Sequence, residues 1–307
     1  QLDGDDAFIV HCDLDRLLPE TDPPNRQITI GFGCFLELIR QSAAEKGFRA
    51  EIVPFPEGEP FPQLDERPIA RVQLIEDTSV AREPLFDHVL GRRTNRAPYD
   101  LSRTVPQFEL DKIADAAASN VAAETISDEQ TVAALRTLTQ EAWRIEWSTA
   151  HTRNESIVVT RIGKAEINNN PYGLALSGAV PDALAGAGLL TREKMDTPGT
   201  PAYDEALKFY ERACASAMAY ACIKTTTNTR ADQLDTGRAW VRMQLMANAL
   251  GISFHPLSQA LQEFLEMREP YIRAHEILGA VNGETVQMLS RLGYASEPAP
   301  APRETLE

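Results

Sequence analysis

The stretch Leu85-Phe86-Asp87-His88-Val89-Leu90-Gly91-Arg92-Arg93-Thr94-Asn95-Arg96 carries the densest chemistry in the chain. Leu85, Phe86 and Val89 have the spacing of a short helix over residues 84–90. Three guanidiniums and a hydroxyl follow within five residues. Each guanidinium is a planar fork of donors that matches phosphate oxygens in pairs. If the segment is extended, Arg92, Thr94 and Arg96 alternate onto one face and can converge on a single phosphate. The competing reading of the same residues is a solvated basic turn. In that reading Glu83, Asp87 or Asp100 supplies the counter-charge and Pro98 closes the turn.

The pentamer stands in an acidic chain of 307 residues, with 30 Lys and Arg against 45 Asp and Glu and a formal net charge of −15. That balance argues against general nucleic-acid binding and against an anionic membrane surface, both of which need basic faces. Hydrophobic residues make up 43% of the chain, enough for a sizeable core in one large domain or two ordinary ones. No apolar run reaches the roughly 18 residues of a membrane span. The four cysteines, Cys12, Cys34, Cys214 and Cys222, form no CxxC pair and no Cys/His array of zinc spacing. Cys214 and Cys222 read as small hydrophobes in an Ala-rich helical stretch. No signal peptide opens the chain. Residues 1–10 read as the middle of a hairpin, with a Gly-Asp turn before a strand, so a preceding segment is expected to have been removed or left out. The compartment stays open: cytoplasmic is favoured, and export is compatible with a lost leader.

Outward from the pentamer, strands are expected at 7–12, 48–55 and 69–76, and a helix at 28–46 that Gly47 terminates. Beyond it, helices are expected at 107–118, 128–148, 203–224, 237–250, 257–267 and 284–292, with a strand at 156–161. The tail, 295–307, is rich in Pro and Ala. The runs 30–54 and 237–256 share one plan: a helix, a glycine (Gly47 or Gly251), then an extended segment toward a proline (Pro54 or Pro256). That likeness points to an internal repeat, although helix–Gly–strand is common in α/β proteins.

With these elements in place, the chain resembles the nitroreductase-like FMN flavoproteins. Arg92-Arg93-Thr94-Asn95-Arg96 is similar to the phosphate motif of that family. The helix ending at Leu250, followed by Gly251-Ile-Ser-Phe-His-Pro256-Leu-Ser258-Gln259, looks like the family's late element over the flavin. Arg291-Leu-Gly-Tyr-Ala with Pro300-Ala-Pro302-Arg303 looks like its returning basic tail. Residues 1–80, with Asp-Leu-Asp-Arg-Leu-Leu-Pro at 13–19, Thr21-Asp22-Pro23 and the helix bearing Gly31 and Gly33, resemble a long single-chain branch whose first half mimics the second subunit of a dimer.

The resemblance implies an α+β fold of mixed or antiparallel sheets surrounded by helices, pseudo-dimeric within one chain. Residues 1–80 would be the first half and 81–307 the second, with residues 163–205 as a lid. It implies FMN held by Arg92, Arg93, Thr94, Arg96 and Arg303, with Pro256, Leu257 and Ser258 flanking the isoalloxazine. The implied function is oxidoreduction from NAD(P)H to an acceptor such as a nitroaromatic or quinone, by a monomer or homodimer. A flavin-sequestering protein with little turnover is the alternative. Two departures stand out. The Ser-x-x-Asn-x-Gln-Pro-Trp segment that precedes the first strand in the family is absent, and the Glu-Gly pair common near Ser258-Gln259 is not there.

Other polar residues carry weaker signals. No side-chain acid or base is required by such a reaction; His255 is the one candidate, against a packed, hydrogen-bonded loop histidine. His11, Asp13 and Asp15 suggest a metal only weakly against solvated strand-end residues. Glu141, Glu146 and His151 lack a metalloprotease pattern, and Ser42, Ser177 and Ser258 lack a nucleophile elbow. Thr227 or Asn228 is a candidate helix cap, with a place near the flavin as the alternative. Asn168-Asn169-Asn170-Pro171 reads as a turn.

Overall fold

The structure is a computed structural model and describes residues 1–118, 121–281 and 283–303. The chain runs β1 (Ala7–Val10), α1 (Arg26–Glu45), β2 (Phe48–Pro54), β3 (Ala70–Glu76), α2 (Gln107–Asp115), β4 (Ala122–Ile126), α3 (Glu129–Ser148) and α4 (Ala150–Val158). It continues through β5 (Thr160–Ile162), α5 (Gly163–Asn169), β6 (Leu174–Leu176), α6 (Ala179–Gly186), α7 (Arg192–Asp196) and α8 (Pro201–Ala215). Last come β7 (Ala219–Thr225), α9 (Arg230–Ala249), β8 (Ser253–Pro256), α10 (Arg268–Ile277) and β9 (Thr285–Gly293).

The fold is α+β. One antiparallel sheet has the order β1-β3-β2 and a second the order β4-β7-β9-β8, while β5 and β6 form a small parallel pair. The second sheet lies at the centre. Leu110, Ile113, Ala221, Ile223, Met243 and Phe254 pack on one side of it, and Leu135, Ala142, Cys222, Leu257 and Leu289 on the other.

Helices α1 and α9 both have 20 residues, and each lies between two strands of its own antiparallel sheet in the chain order. β1–α1–β2–β3 and β7–α9–β8–β9 share element order and antiparallel neighbours. Arg26, Gly33 and Gly47 have the same spacing as Arg230, Gly237 and Gly251. The helices cross at Gly33 and Gly237: a Cβ on Gly237 would stand 1.9 Å from the Ile30 carbonyl oxygen, and one on Gly33 2.1 Å from that of Leu234. Only glycine allows backbones this close. At the N-termini, the two arginines cross over reciprocally. Arg26 donates to the carbonyls of Leu261 and Gln287 and to Glu263 in the second half. Arg230 donates to the carbonyls of Pro24, Asn25, Pro60 and Pro62 in the first.

The structure corrects several expected elements. Residues 284–292 are strand β9, not a helix: Thr285, Val286, Gln287, Leu289 and Ser290 are buried on both faces of a central strand, which removes the period-two signal. Residues 203–224 divide into helix α8 and strand β7, because Ser216 and Ala217 turn the chain and β7 is inserted between β4 and β9. Cys214 therefore lies in a helix and Cys222 in a strand; both are buried, and all four cysteines are free. Residues 156–161 close α4 and open β5. Residues 257–267 hold only 3-10 turns, and α10 follows them. Helix α9 starts seven residues earlier than 237, capped not by Thr227 or Asn228 but by Thr229 in a capping box with Asp232. Residues 163–205 fold into α5, β6, α6, α7 and the start of α8, and part of this stretch packs on Trp143, Trp147 and Ile157. The tail from 294 to Arg303 has no regular secondary structure; residues 304–307 lie outside the described residues. No helix among the described residues is long and apolar enough to cross a membrane, and none of their His, Cys, Asp and Glu side chains group as a metal site.

Candidate functional site

The basic pentamer runs as an extended segment beside β8. Thr94 bridges Phe254 in parallel, and the Asn95 N–H donates to the Phe254 carbonyl. Asn95 is buried and points inward, donating to Ser253 Oγ (3.1 Å) and the Ser296 carbonyl (2.9 Å). Its neighbours Thr94 and Arg96 therefore turn outward, and Arg96 is exposed.

Arg291 of β9 fixes this segment from below. It is fully buried, and among the described residues it forms no ion pair with a carboxylate. Instead it donates to the Asn95 (3.1 Å), Ala97 (2.8 Å) and Ala213 (2.8 Å) carbonyls, to Ser216 Oγ (3.2 Å) and to His255 Nδ1 (3.0 Å). Its guanidinium also stacks 3.8 Å over the Tyr99 ring. Because His255 Nδ1 accepts that bond, the ring is neutral. Burial first, then the charges of Arg291 and Arg96, hold its pKa well below the usual histidine value. The structure thus gives His255 the packed, hydrogen-bonded place, not that of a free base.

Three guanidiniums, those of Arg92, Arg93 and Arg303, stand close enough to act on one another. Arg92 donates to Gln244 Oε1 of α9 at 2.9 Å, and Arg93 donates to the Leu90 and Arg92 carbonyls. The Nε atoms of both arginines are buried and have no hydrogen-bond partner. Burial lowers the Arg92 pKa, and the nearby charges of Arg303 and Arg93 push the same way, although Cys34 opposes them. Among the described residues, the acidic side chain paired with this group is Glu297, 3.9 Å from Arg93. Glu83 instead pairs with Arg40 and Arg242, and Asp100 binds Ser102, so neither neutralises the pentamer. Beside Arg92, burial pushes the Cys34 thiol up to about 12, leaving it protonated.

The second predicted group follows on β8. The Leu257 N–H continues the ladder to the Leu289 carbonyl, and Ser258 opens a 3-10 turn at Gln259–Leu261. Tyr210 of α8 covers this turn: its hydroxyl donates to Gln259 at 3.2 Å, and its ring stands 5.6 Å from His255 and 4.5 Å from Trp143. Beneath lies Glu146 of α3, which accepts from Gln262 (2.9 Å) and Ser156 (3.0 Å). Burial raises its pKa to about 7.

The structure therefore gathers Arg92, Arg93 and Arg303 at one end, and brings Arg96 within electrostatic reach of His255 and Tyr210 beside Pro256–Ser258. Sequence reasoning missed the roles of Arg291, Gln244, Tyr210 and Glu146. Only Arg291 left a trace, as a charged residue inside the apolar run Leu289-Ser-Arg-Leu292.

Comparison with known proteins adds likeness of form. The solved structures that the chain resembles include several nitroreductases. A nitroreductase with bound FMN from Bacteroides fragilis matches at 16% identity and a TM-score of 0.40, covering 73% of this chain and 95% of that one. An FMN-dependent nitroreductase from Mycobacterium smegmatis in complex with NADPH matches at 20% identity and 0.42, covering 71% and 92%. An iodotyrosine deiodinase bound to FMN and 3-iodo-L-tyrosine matches at 13% identity and 0.43, covering 73% and 96%. No family model matches the chain, and no curated protein matches it.

Proposed function

We propose that this chain is an FMN-dependent oxidoreductase that takes electrons from NAD(P)H and passes them to a small acceptor such as a nitroaromatic or quinone. One observation carries the reading: in a chain of net charge −15, Arg92 and Arg93 keep buried Nε donors without hydrogen-bond partners, the nearest carboxylate to Arg93 standing at 3.9 Å, and Arg303 adds a third positive charge. Buried donors without partners are costly, and a phosphate dianion answers both the hydrogen bonds and the charge. The donor set fits the FMN phosphate.

In this assignment Arg92, Arg93, Thr94, Arg96 and Arg303 hold the phosphate, and the backbone of Pro256, Leu257 and Ser258 flanks the ring system. When bound, FMN supplies the hydride chemistry. The protein contributes binding, orientation and exclusion of water. Arg291 fixes the pentamer against β8, and neutral His255 adds no further charge beside the ring-flanking turn. No side chain here is required as an acid or base.

We further infer that residues 1–80 and 81–307 are two halves of a pseudo-dimer. The shared topology and the reciprocal arginines support this, and such a chain can work as a monomer. A flavin-holding protein with little turnover is the second reading. Its support is the half-buried Tyr210, whose hydroxyl donates to Gln259 in the turn that follows β8; residues 163–205 are the lid in that reading.

Replacing Arg96 tests the site. Arg96→Ala should weaken FMN binding by roughly 1.5–3 kcal/mol, the value of a charge-assisted hydrogen bond. An unchanged dissociation constant removes Arg96 from the site. Anaerobic titration with NADPH and NADH separates the two readings: bleaching of bound flavin supports the oxidoreductase, and flavin that neither nucleotide bleaches supports the holding protein.

A further inference from the structure

The arginine segment meets the body of the fold along one face of α9. The Arg92 guanidinium donates to Gln244 Oε1 at 2.9 Å, and Gln244 Nε2 donates back to the Arg93 carbonyl at 3.4 Å. One amide therefore holds both arginines, the first by its side chain and the second by its backbone. Gln244 is fully buried, so close packing fixes its own orientation. One turn further along α9, Asn248 closes on the backbone just before the pentamer: a Cβ on Gly91 would stand 3.1 Å from Asn248 Nδ2.

The chemistry of that partner differs from what the same seam uses elsewhere. Arg238 and Arg242, earlier on α9, pair with the carboxylates of Glu37 and Glu83, and so does Arg40 of α1. Arg92 receives an amide instead, and among the described residues it forms no ion pair with a carboxylate. A carboxylate in the place of Gln244 would hold the guanidinium as firmly, but it would also cancel its charge. A neutral amide fixes the planar fork and leaves the positive charge for a ligand. The Nε donors of Arg92 and Arg93, buried and without hydrogen-bond partners, belong to the same two groups.

On the reading of this cluster as the FMN phosphate site, we propose that Gln244 is its positioning residue: the amide sets Arg92 and Arg93 in place without neutralising them, and thereby tunes the site to a phosphate ester. Gln244 acts through the two arginines rather than on the ligand. FMN and riboflavin share the ring system and differ in the phosphate, so the ratio of their affinities isolates what Gln244 contributes. A residue that merely packed the core would change both affinities, and the stability of the fold, together.

The test titrates FMN and riboflavin into the full chain and two variants, read by quenching of flavin fluorescence, with thermal melts alongside. Gln244→Met keeps the volume and removes both hydrogen bonds. Gln244→Glu keeps an acceptor for Arg92 and adds the cancelling charge. FMN affinity should fall about fivefold in Gln244→Met and at least about tenfold in Gln244→Glu, while riboflavin affinity stays within about twofold of the parent. Gln244→Glu should melt no lower than Gln244→Met, because Arg92 gains an ionic partner. In an Arg92→Ala background, Gln244→Met should weaken FMN by no more than about twofold further, since the pair acts as a unit. FMN bound by Gln244→Glu as tightly as by the parent overturns the proposal. So does a parallel loss of FMN and riboflavin, or full additivity of the Gln244 and Arg92 replacements, because either makes Gln244 a packing residue. A parent chain that binds no FMN is a different failure: it removes the flavin reading of the site, and the role of Gln244 with it.

Discussion

Replacing Gly237 by alanine should destabilise this protein, against the ordinary rule for a glycine in a helix. Helix propensity alone favours Gly→Ala in a helix interior by about 1 kcal/mol. Here the added Cβ would stand 1.9 Å from Ile30 O, 2.7 Å from Cys34 N and 2.8 Å from Gly33 Cα. All three are backbone atoms, so no side chain can swing aside. Non-bonded heavy atoms settle near ~3.5 Å, so α1 and α9 must part by roughly 1.5 Å. That opens the contacts of Cys34, Leu38 and Leu234 along the seam and loosens the reciprocal arginine bonds. Overpacking typically costs ~1–3 kcal/mol, and a rigid backbone clash lies at the upper end or beyond. A net loss of about 2–4 kcal/mol is expected, read as a lower urea midpoint with an unchanged slope. Gly31→Ala, in the facing helix α1, is the control, with nothing within 4 Å of its added Cβ; it should gain about 0.5–1 kcal/mol. A Gly237→Ala protein as stable as the parent would refute the account of how the halves meet.

Two further outcomes follow from the buried polar groups. Burial raises the Glu146 pKa from 4.5 to about 7, so its neutral form is favoured in the folded state. Its contribution is complete below the unfolded value and lost as pH rises through 7, on the order of 3 kcal/mol in all. Urea midpoints of the parent and Glu146→Gln should therefore change relative to each other between about pH 4.5 and 7 and stay parallel above it, with the parent the one that weakens; a constant difference across that window contradicts this. Arg291→Met should cost roughly 3–5 kcal/mol by stripping donors from the Asn95, Ala97 and Ala213 carbonyls. Arg291→Lys should not restore stability, because an ammonium lacks the planar fork; full rescue by lysine in thermal melts would count against the described geometry.

The first half of the fold was legible because its elements are local and half-buried. Helix α1 shows its apolar stripe with a terminating glycine, and β3 alternates from Ala70 to Glu76. The centre was less legible because β7 and β9 are buried on both faces. A continuous apolar strand then reads like a buried helix, as residues 203–224 and 284–292 did. For the site, the Arg92–Arg96 cluster was visible as charge against an acidic background. Arg291, Tyr210 and Glu146 were not, because their meaning comes from partners dozens to more than a hundred residues away. A single sequence does not record that Asn95 and Ala97 carbonyls await a buried guanidinium.

The central claim is that the arginine cluster holds a flavin phosphate. Its most direct test is the visible absorption spectrum of the purified protein after incubation with FMN and desalting. The account predicts flavin bands that stay with the protein, and their loss on desalting when Arg92 and Arg93 are both replaced by alanine. A parent protein that emerges colourless, with no FMN retained, would contradict it.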